Sequence, residues 1–179
     1  PPMAMSGFDV FRLTVIGLSV AVLILGAVLL GLIYSGRTAW LEDLFGPGEL
    51  AEIEFATLER QSPSNSYLAC PEGLCTASQV DQTVPVYPLS VDALQQRLID
   101  WVDGKPDVTL RRLEPETRQY HFVARTPRMR FPDLVTIQLL ERGAERSTLA
   151  IYSRSVYGKS DLGKNEARVK TWLAVLAPE

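Results

Sequence analysis

VTLRRLEPETRQYHFVARTPRMRFPDLVTIQLLERGAERSTLAIYSRSV, residues 108–156, is the stretch that decides the fold. Four runs in it are rich in β-branched, aromatic and other apolar residues: Val108–Leu113, Gln119–Thr126, Leu134–Leu140 and Ser147–Val156. Glu114-Pro115-Glu116-Thr117 turns the chain between the first two, and Gly143-Ala144 lies between the last two. Two antiparallel hairpins are expected. Helical spacing flanks them on both sides. Ser90 is a candidate N-cap, followed by Val91, Leu94, Leu98, Trp101 and Val102, with Gly104 and Pro106 as the stop. After the strands, Asp161 is a candidate cap for a helix whose Val169, Trp172, Leu173 and Leu176 form one apolar stripe. Those stripes need a sheet to cover. The expected class is α+β: a four-stranded antiparallel sheet with two packing helices, preceded by one N-terminal transmembrane helix.

That first helix is read from Leu13–Tyr34, LTVIGLSVAVLILGAVLLGLIY, which carries no charge over 22 residues. As a helix it measures roughly 33 Å, enough for a hydrocarbon core of about 30 Å. Arg12 and Arg37 close the ends, and Tyr34 and Trp40 sit where an aromatic belt is expected. The run is longer than the apolar region of a cleaved signal peptide, and Gly31-Leu32-Ile33-Tyr34-Ser35-Gly36 is a poor cleavage site. Gly17-x-x-x-Ala21 and Ala27-x-x-x-Gly31 are small-residue pairs that let a second helix approach closely. Beyond Arg37 the chain is acidic until Arg60, which favours a cytoplasmic N-terminus.

The expected organisation is a short cytoplasmic N-terminus (1–12), a transmembrane helix (13–34), a juxtamembrane tether (35–66) and a periplasmic α+β domain (67–179). In the tether, Trp40, Leu41, Leu44 and Phe45 are candidates for the membrane surface. Gly46-Pro47-Gly48 breaks any helix there, Glu52-Ile53-Glu54-Phe55 alternates like an extended segment, and Gln61–Ser66 reads as a loop.

Composition narrows the chemistry. The 179 residues hold 18 Lys+Arg against 21 Asp+Glu, a net charge of −3, so no general nucleic-acid binder is indicated. Residues 38–179 keep 16 of the basic and 20 of the acidic groups, a net charge of −4. The mean hydropathy of +0.05 therefore averages an uncharged span with a polar domain. One histidine and two cysteines give no basis for a zinc site of several imidazoles or four thiolates, and no metal or cofactor is expected. Cys70 and Cys75 bracket Pro71-Glu72-Gly73-Leu74. On the exported side of a membrane a disulfide is the default, and closing so short a loop stabilises by about 2 kcal/mol.

Walker, dinucleotide-binding, nucleophile-elbow and zincin signatures are absent from the sequence. A hydrolase would have to use His121, which sits between Tyr120 and Phe122 in an expected strand. One cluster is unusually basic. Arg125, Arg128 and Arg130 lie between the hairpins, and Ser153, Arg154, Ser155 and Lys159 lead from the last strand towards the last helix. Guanidinium forks, hydroxyls and a helix N-terminus together can hold a phosphate or carboxylate. The competing reading is that the arginines pair with Asp133, Asp161 and neighbouring acids and only fix loop shape.

Several blocks resemble a known family. Tyr67–Cys75 (YLACPEGLC), Pro85–Pro88 (PVYP), Met129–Asp133 (MRFPD), Ser147–Ser155 (STLAIYSRS) and Tyr157–Val169 (YGKSDLGKNEARV) are similar to the bacterial domain-of-unknown-function family 1499, over residues 53–176. The resemblance implies an exported or membrane-tethered domain and supplies no activity or catalytic residue.

The functional expectation is a non-catalytic accessory subunit of a larger bacterial membrane complex, respiratory or photosynthetic, with the domain on the periplasmic face. Its partners would be the lipid bilayer and other membrane-protein subunits, in the inner or an intracytoplasmic membrane. The alternative is a periplasmic binding module for an anionic lipid headgroup or small acid. A hydrolase comes third.

Overall fold

The central strand of the computed structural model is Ser147–Ser155, in which eight of nine residues are buried. Such a strand needs cover on both faces, and the rest of the domain supplies it. The structure describes residues 6–35, 50–60, 63–127 and 130–178. Arg37, Trp40, Leu41, Leu44, Phe45, Gly46-Pro47-Gly48, Gln61-Ser62 and Arg128 lie outside them.

In chain order the elements are α1 (Gly7–Tyr34), a 3-10 turn at Pro63–Asn65, β1 (Ser66–Cys70), β2 (Gln82–Thr83), α2 (Val91–Asp103), β3 (Val108–Glu114), β4 (Gln119–Arg125), β5 (Pro132–Glu141), β6 (Ser147–Ser155) and α3 (Lys164–Leu176). Both expected hairpins form: β3 with β4 and β5 with β6, with β4 also antiparallel to β5. The sheet is larger than expected, however. It has six strands in the order β2-β1-β6-β5-β4-β3 and is mixed, because β1 runs antiparallel to β6 but parallel to β2. The expectation of four antiparallel strands is thus corrected. β1 has only five residues and β2 only two, and β1 is buried on both faces, so neither shows a readable alternation.

The helices cover one face. Ser90 caps α2, its hydroxyl accepting from the Ala93 amide at 3.2 Å, and Val91, Leu94, Leu98 and Val102 form the buried stripe. Asp161 serves α3 from just outside it. Its carboxylate accepts from the Gly163 amide at 3.0 Å and the Asn165 amide at 2.6 Å. Trp172 joins the layers, with its ring edge-on to Trp101 of α2 at 4.7 Å and to Phe122 of β4 at 5.4 Å.

The second face is covered without regular structure. Phe55, Leu68, Cys70, Cys75, Ala150 and Tyr152 form a second apolar cluster, with Ile53, Leu58, Leu74 and Val80 against it. Cys70 and Cys75 are disulfide-bonded, with Cα atoms 6.2 Å apart, so the loop they close belongs to this cover. Within the stretch expected as a tether, residues 50–60 therefore lie on the sheet. They form no strand there; Gln119, almost fully buried, docks them instead. Its Nε2 donates to the Ile53 carbonyl at 2.8 Å, and its Oε1 accepts from the Ile53 amide at 2.7 Å. One side chain thus reproduces the pairing a neighbouring strand would make.

β3 is the sheet's long edge. It is mostly exposed, with a bulge between Leu110 and Arg112. α1 begins at Gly7, earlier than the uncharged run, because Ser6 accepts from the Asp9 amide as its N-cap. The helix has 28 residues and is long and apolar enough to cross a membrane, and none of its apolar window is buried.

Gln119→Leu tests the docking of residues 50–60. It leaves the Ile53 amide and carbonyl without their partner, so the domain should lose about 2 kcal/mol. A lowered urea midpoint and faster hydrogen exchange at Ile53, with α2 protection unchanged, would be the signature.

Candidate functional site

β5 enters and β6 leaves the sheet at the same end, where Asp133 faces Ser155 in register. The first residues of α3 cross that end. Three connections meet there: the turn before β1, the β4–β5 loop and the β6–α3 segment. The last two share one end of the sheet because Arg125 pairs with Pro132 and Asp133 with Ser155.

A buried polar network lies beneath them. Arg168 of α3 donates to the Asp133 carboxylate, to Ser153 Oγ at 3.0 Å and to Asn165 Oδ1 at 2.7 Å. Ser153 Oγ donates to the same Asn165 oxygen at 2.6 Å. Asn165 Nδ2 then donates to Ser155 Oγ at 3.1 Å and to the Asn65 carbonyl at 3.2 Å. Asn65 Nδ2 reaches the Gly158 carbonyl at 3.0 Å. α3, β6 and the turn before β1 are locked into one unit. Asp133 is 4% and Arg168 14% exposed by side chain, so this is a desolvated pair whose charges depend on each other.

The sequence-predicted cluster is divided among different tasks. Ser153 and Ser155 sit in the network. Arg130 pairs with Asp107. Arg125 donates to the Arg130 carbonyl at 3.3 Å, which closes the β4–β5 loop on itself. Arg154 is half-buried and alternates to the opposite sheet face from Ser153 and Ser155. Lys159 is exposed, and its carbonyl accepts from the Ser64 hydroxyl at 2.9 Å. Arg128 lies outside the described residues. The expected partner of Asp133 was a loop arginine; its partner is Arg168, on the helix. The N-terminal amides of α3 are occupied by the Asp161 carboxylate, which is where an anion would otherwise bind.

Above the network is a cleft of about 520 Å³ between the β4–β5 loop and the β6–α3 segment. Pro127, Phe131, Pro132, Tyr157 and Leu162 contribute its apolar walls. Leu162, which lines it, is in left-handed backbone with φ of 53°, as is Arg130, next to Phe131, with φ of 56°.

His121 is elsewhere, on the opposite face of β4, and it is fully buried. Its Nδ1 lies 3.1 Å from the Thr136 hydroxyl, and Nε2 has no partner among the described residues. Burial first, then the Arg112 guanidinium, holds the imidazole below its ordinary pKa, against a weaker opposing pull from Glu114 and Glu52. Among the described residues, no group of three or more His, Cys, Asp or Glu is placed to hold a metal ion.

Two outcomes follow from these groups. Asp133→Ala strands the Arg168 charge and should cost about 3–5 kcal/mol by chemical denaturation, whereas the double replacement of Asp133 and Arg168 by Leu should lie closer to wild type. For His121, the unfolded chain binds a proton below pH 6.5 that the folded chain resists. Stability from this group is thus complete above 6.5 and declines as pH falls through that value. Urea midpoints at about pH 7.5 and about pH 5 should differ less for His121→Gln than for wild type.

Three comparisons place the chain. No curated protein matches it. Among solved structures, the crystal structure of the di-domain ARO/CYC BexL from the BE-7585A biosynthetic pathway is similar at 14% identity and a TM-score of 0.39, over 52% of this chain and 43% of that one. The chain thus spans less than half the length of that protein. The family model described as protein of unknown function (DUF1499) matches residues 65–176, the span that holds all six strands, α2, α3 and the whole Asp133–Arg168–Asn165 network, and the chain belongs to that family.

Proposed function

We propose that the protein is a non-catalytic, single-pass accessory subunit of a larger bacterial membrane assembly, with its sheet domain on the periplasmic side. The observation that carries this reading is α1. It is apolar on every side, and no other described part of the chain covers it. Such a helix needs lipid or other helices around it. Its glycines at positions 17, 26 and 31 have open space where a side chain would be, so a partner helix can approach closely there.

Three features of the domain support the same reading. The one histidine is held inside the sheet, where Thr136 supplies its neighbouring hydroxyl. Arg130 of the β4–β5 loop is engaged by Asp107 and Arg168 of α3 by Asp133, so both guanidiniums serve the domain's own shape. The disulfide within the cover of the second face suits an oxidising compartment.

Extraction from native membranes in a mild detergent, followed by native electrophoresis, tests the assignment. The chain should migrate within a larger assembly, and Gly17→Ile with Gly31→Ile should release it while leaving the domain folded. Migration at its own mass in its detergent micelle, with no other subunit, would overturn the reading.

A further inference from the structure

Residues 50–60 follow α1 in the chain and lie on the second face of the sheet. Two side chains hold their first part. Arg112 of β3 donates to the Leu50 carbonyl at 3.1 Å, and Gln119 of β4 exchanges its two hydrogen bonds with Ile53. The next anchor is Phe55, almost fully buried in the second apolar cluster. Arg112 is the cross-strand partner of His121, and Gln119 lies two residues before His121 on the same strand. All three therefore share one face of the sheet. The imidazole sits between the two groups that hold Leu50–Ile53.

That position is sensitive to protons. His121 is fully buried, with Thr136 of β5 at its Nδ1 and no partner at its Nε2 among the described residues. The charged groups acting on it are Arg112 and Glu114 of β3, which pair with each other, and Glu52 of the held run. From β5 it meets only the uncharged Thr136 hydroxyl. A neutral imidazole fits this setting, because burial and the Arg112 guanidinium keep the added proton away. In the imidazolium both ring nitrogens are donors, and Nε2 has nothing to donate to. A second cation would then lie buried beside Arg112. Lifting Leu50–Ile53 lets water reach the ring, and the backbone groups it frees are hydrated in turn.

We propose that Leu50–Ile53 is an acid-released latch: protonation of His121 lifts this run from the sheet while Phe55 stays docked. The run continues the chain that comes from α1, which is apolar enough to cross a membrane. Its release adds about 13 Å of reach between that helix and the sheet domain, at roughly 3.3–3.6 Å per residue. The latch is internal to the chain and works whether or not the protein belongs to a larger assembly.

The test uses the full-length chain in detergent micelles. The sequence has one histidine, so imidazole resonances report on His121 alone. Amide exchange at Ile53, corrected for the intrinsic rate, is followed from about pH 6.5 to about pH 5.5, where ordinary carboxylates stay ionised. The opening constant at Ile53 should rise by up to about tenfold over that unit, while protection at Leu98 of α2 stays constant. His121→Gln should abolish the rise. A second arm leaves the histidine in place. Gln119→Leu loosens the latch without acid, so by linkage the imidazole midpoint should move up towards 6.5. Exchange at Ile53 that ignores pH in the wild type, an equal rise in His121→Gln, or an unmoved midpoint in Gln119→Leu would each overturn the proposal.

Discussion

Water must be kept from both faces of β6, and most of the molecule follows from that requirement. Its residues alternate between two apolar clusters. Leu149 and Ile151 point to the helices, and Ala150 and Tyr152 to the other side. The helical side is a familiar solution, in which two amphipathic stripes lie on a sheet. The other side uses a different one. A disulfide-closed loop and an irregular segment are laid over the sheet, and the Gln119 amide supplies the two backbone hydrogen bonds that a strand would have made. An irregular cover leaves many backbone groups to satisfy, which is why a buried glutamine belongs at that position.

The polar network at the end of β5 and β6 works on the same constraint. A sheet end is where ladder bonding stops, and here it is closed by charged and amide side chains. Breaking one member would leave the others buried without partners, so the network acts as a single structural unit. It also fixes the β6–α3 segment from below, through Asn65 to the Gly158 carbonyl and Asn165 to Ser155. The left-handed Gly158 is therefore held by Asn65, and Gly163 by the Asp161 carboxylate.

Much of this was legible in the sequence, for physical reasons. β3 to β6 alternate or cluster apolar residues over seven to ten positions and are joined by recognisable turns. α2 shows its cap and stripe directly. β1 and β2 are too short for a period to appear, and their place in the sheet depends on partners far along the chain. Residues 50–60 look like a linker because their cover role is set by Gln119, which reads locally as an ordinary strand residue. At the candidate site the sequence offered the arginines near the two connections as partners for Asp133, and the structure also brings Arg168 of α3 to it. The signal for Arg168 was faint: Asn165 and Arg168 sit one turn before the apolar stripe of Val169 and Trp172, on nearly the same face of α3.

The exposed edge at β3 carries a consequence for life at high local concentration. An open strand invites the same strand of another molecule to add to it, hydrogen bond by hydrogen bond. Here the bulge between Leu110 and Arg112 breaks the ladder's rhythm, and Arg111 and Arg112, the latter paired with Glu114, place charge at the break. A second copy arriving edge to edge would meet an interrupted row of donors and the charged side chains of Arg111 and Arg112. The sheet thus ends at β3 with an edge that disfavours growth into a continuous β-ribbon when molecules are crowded together.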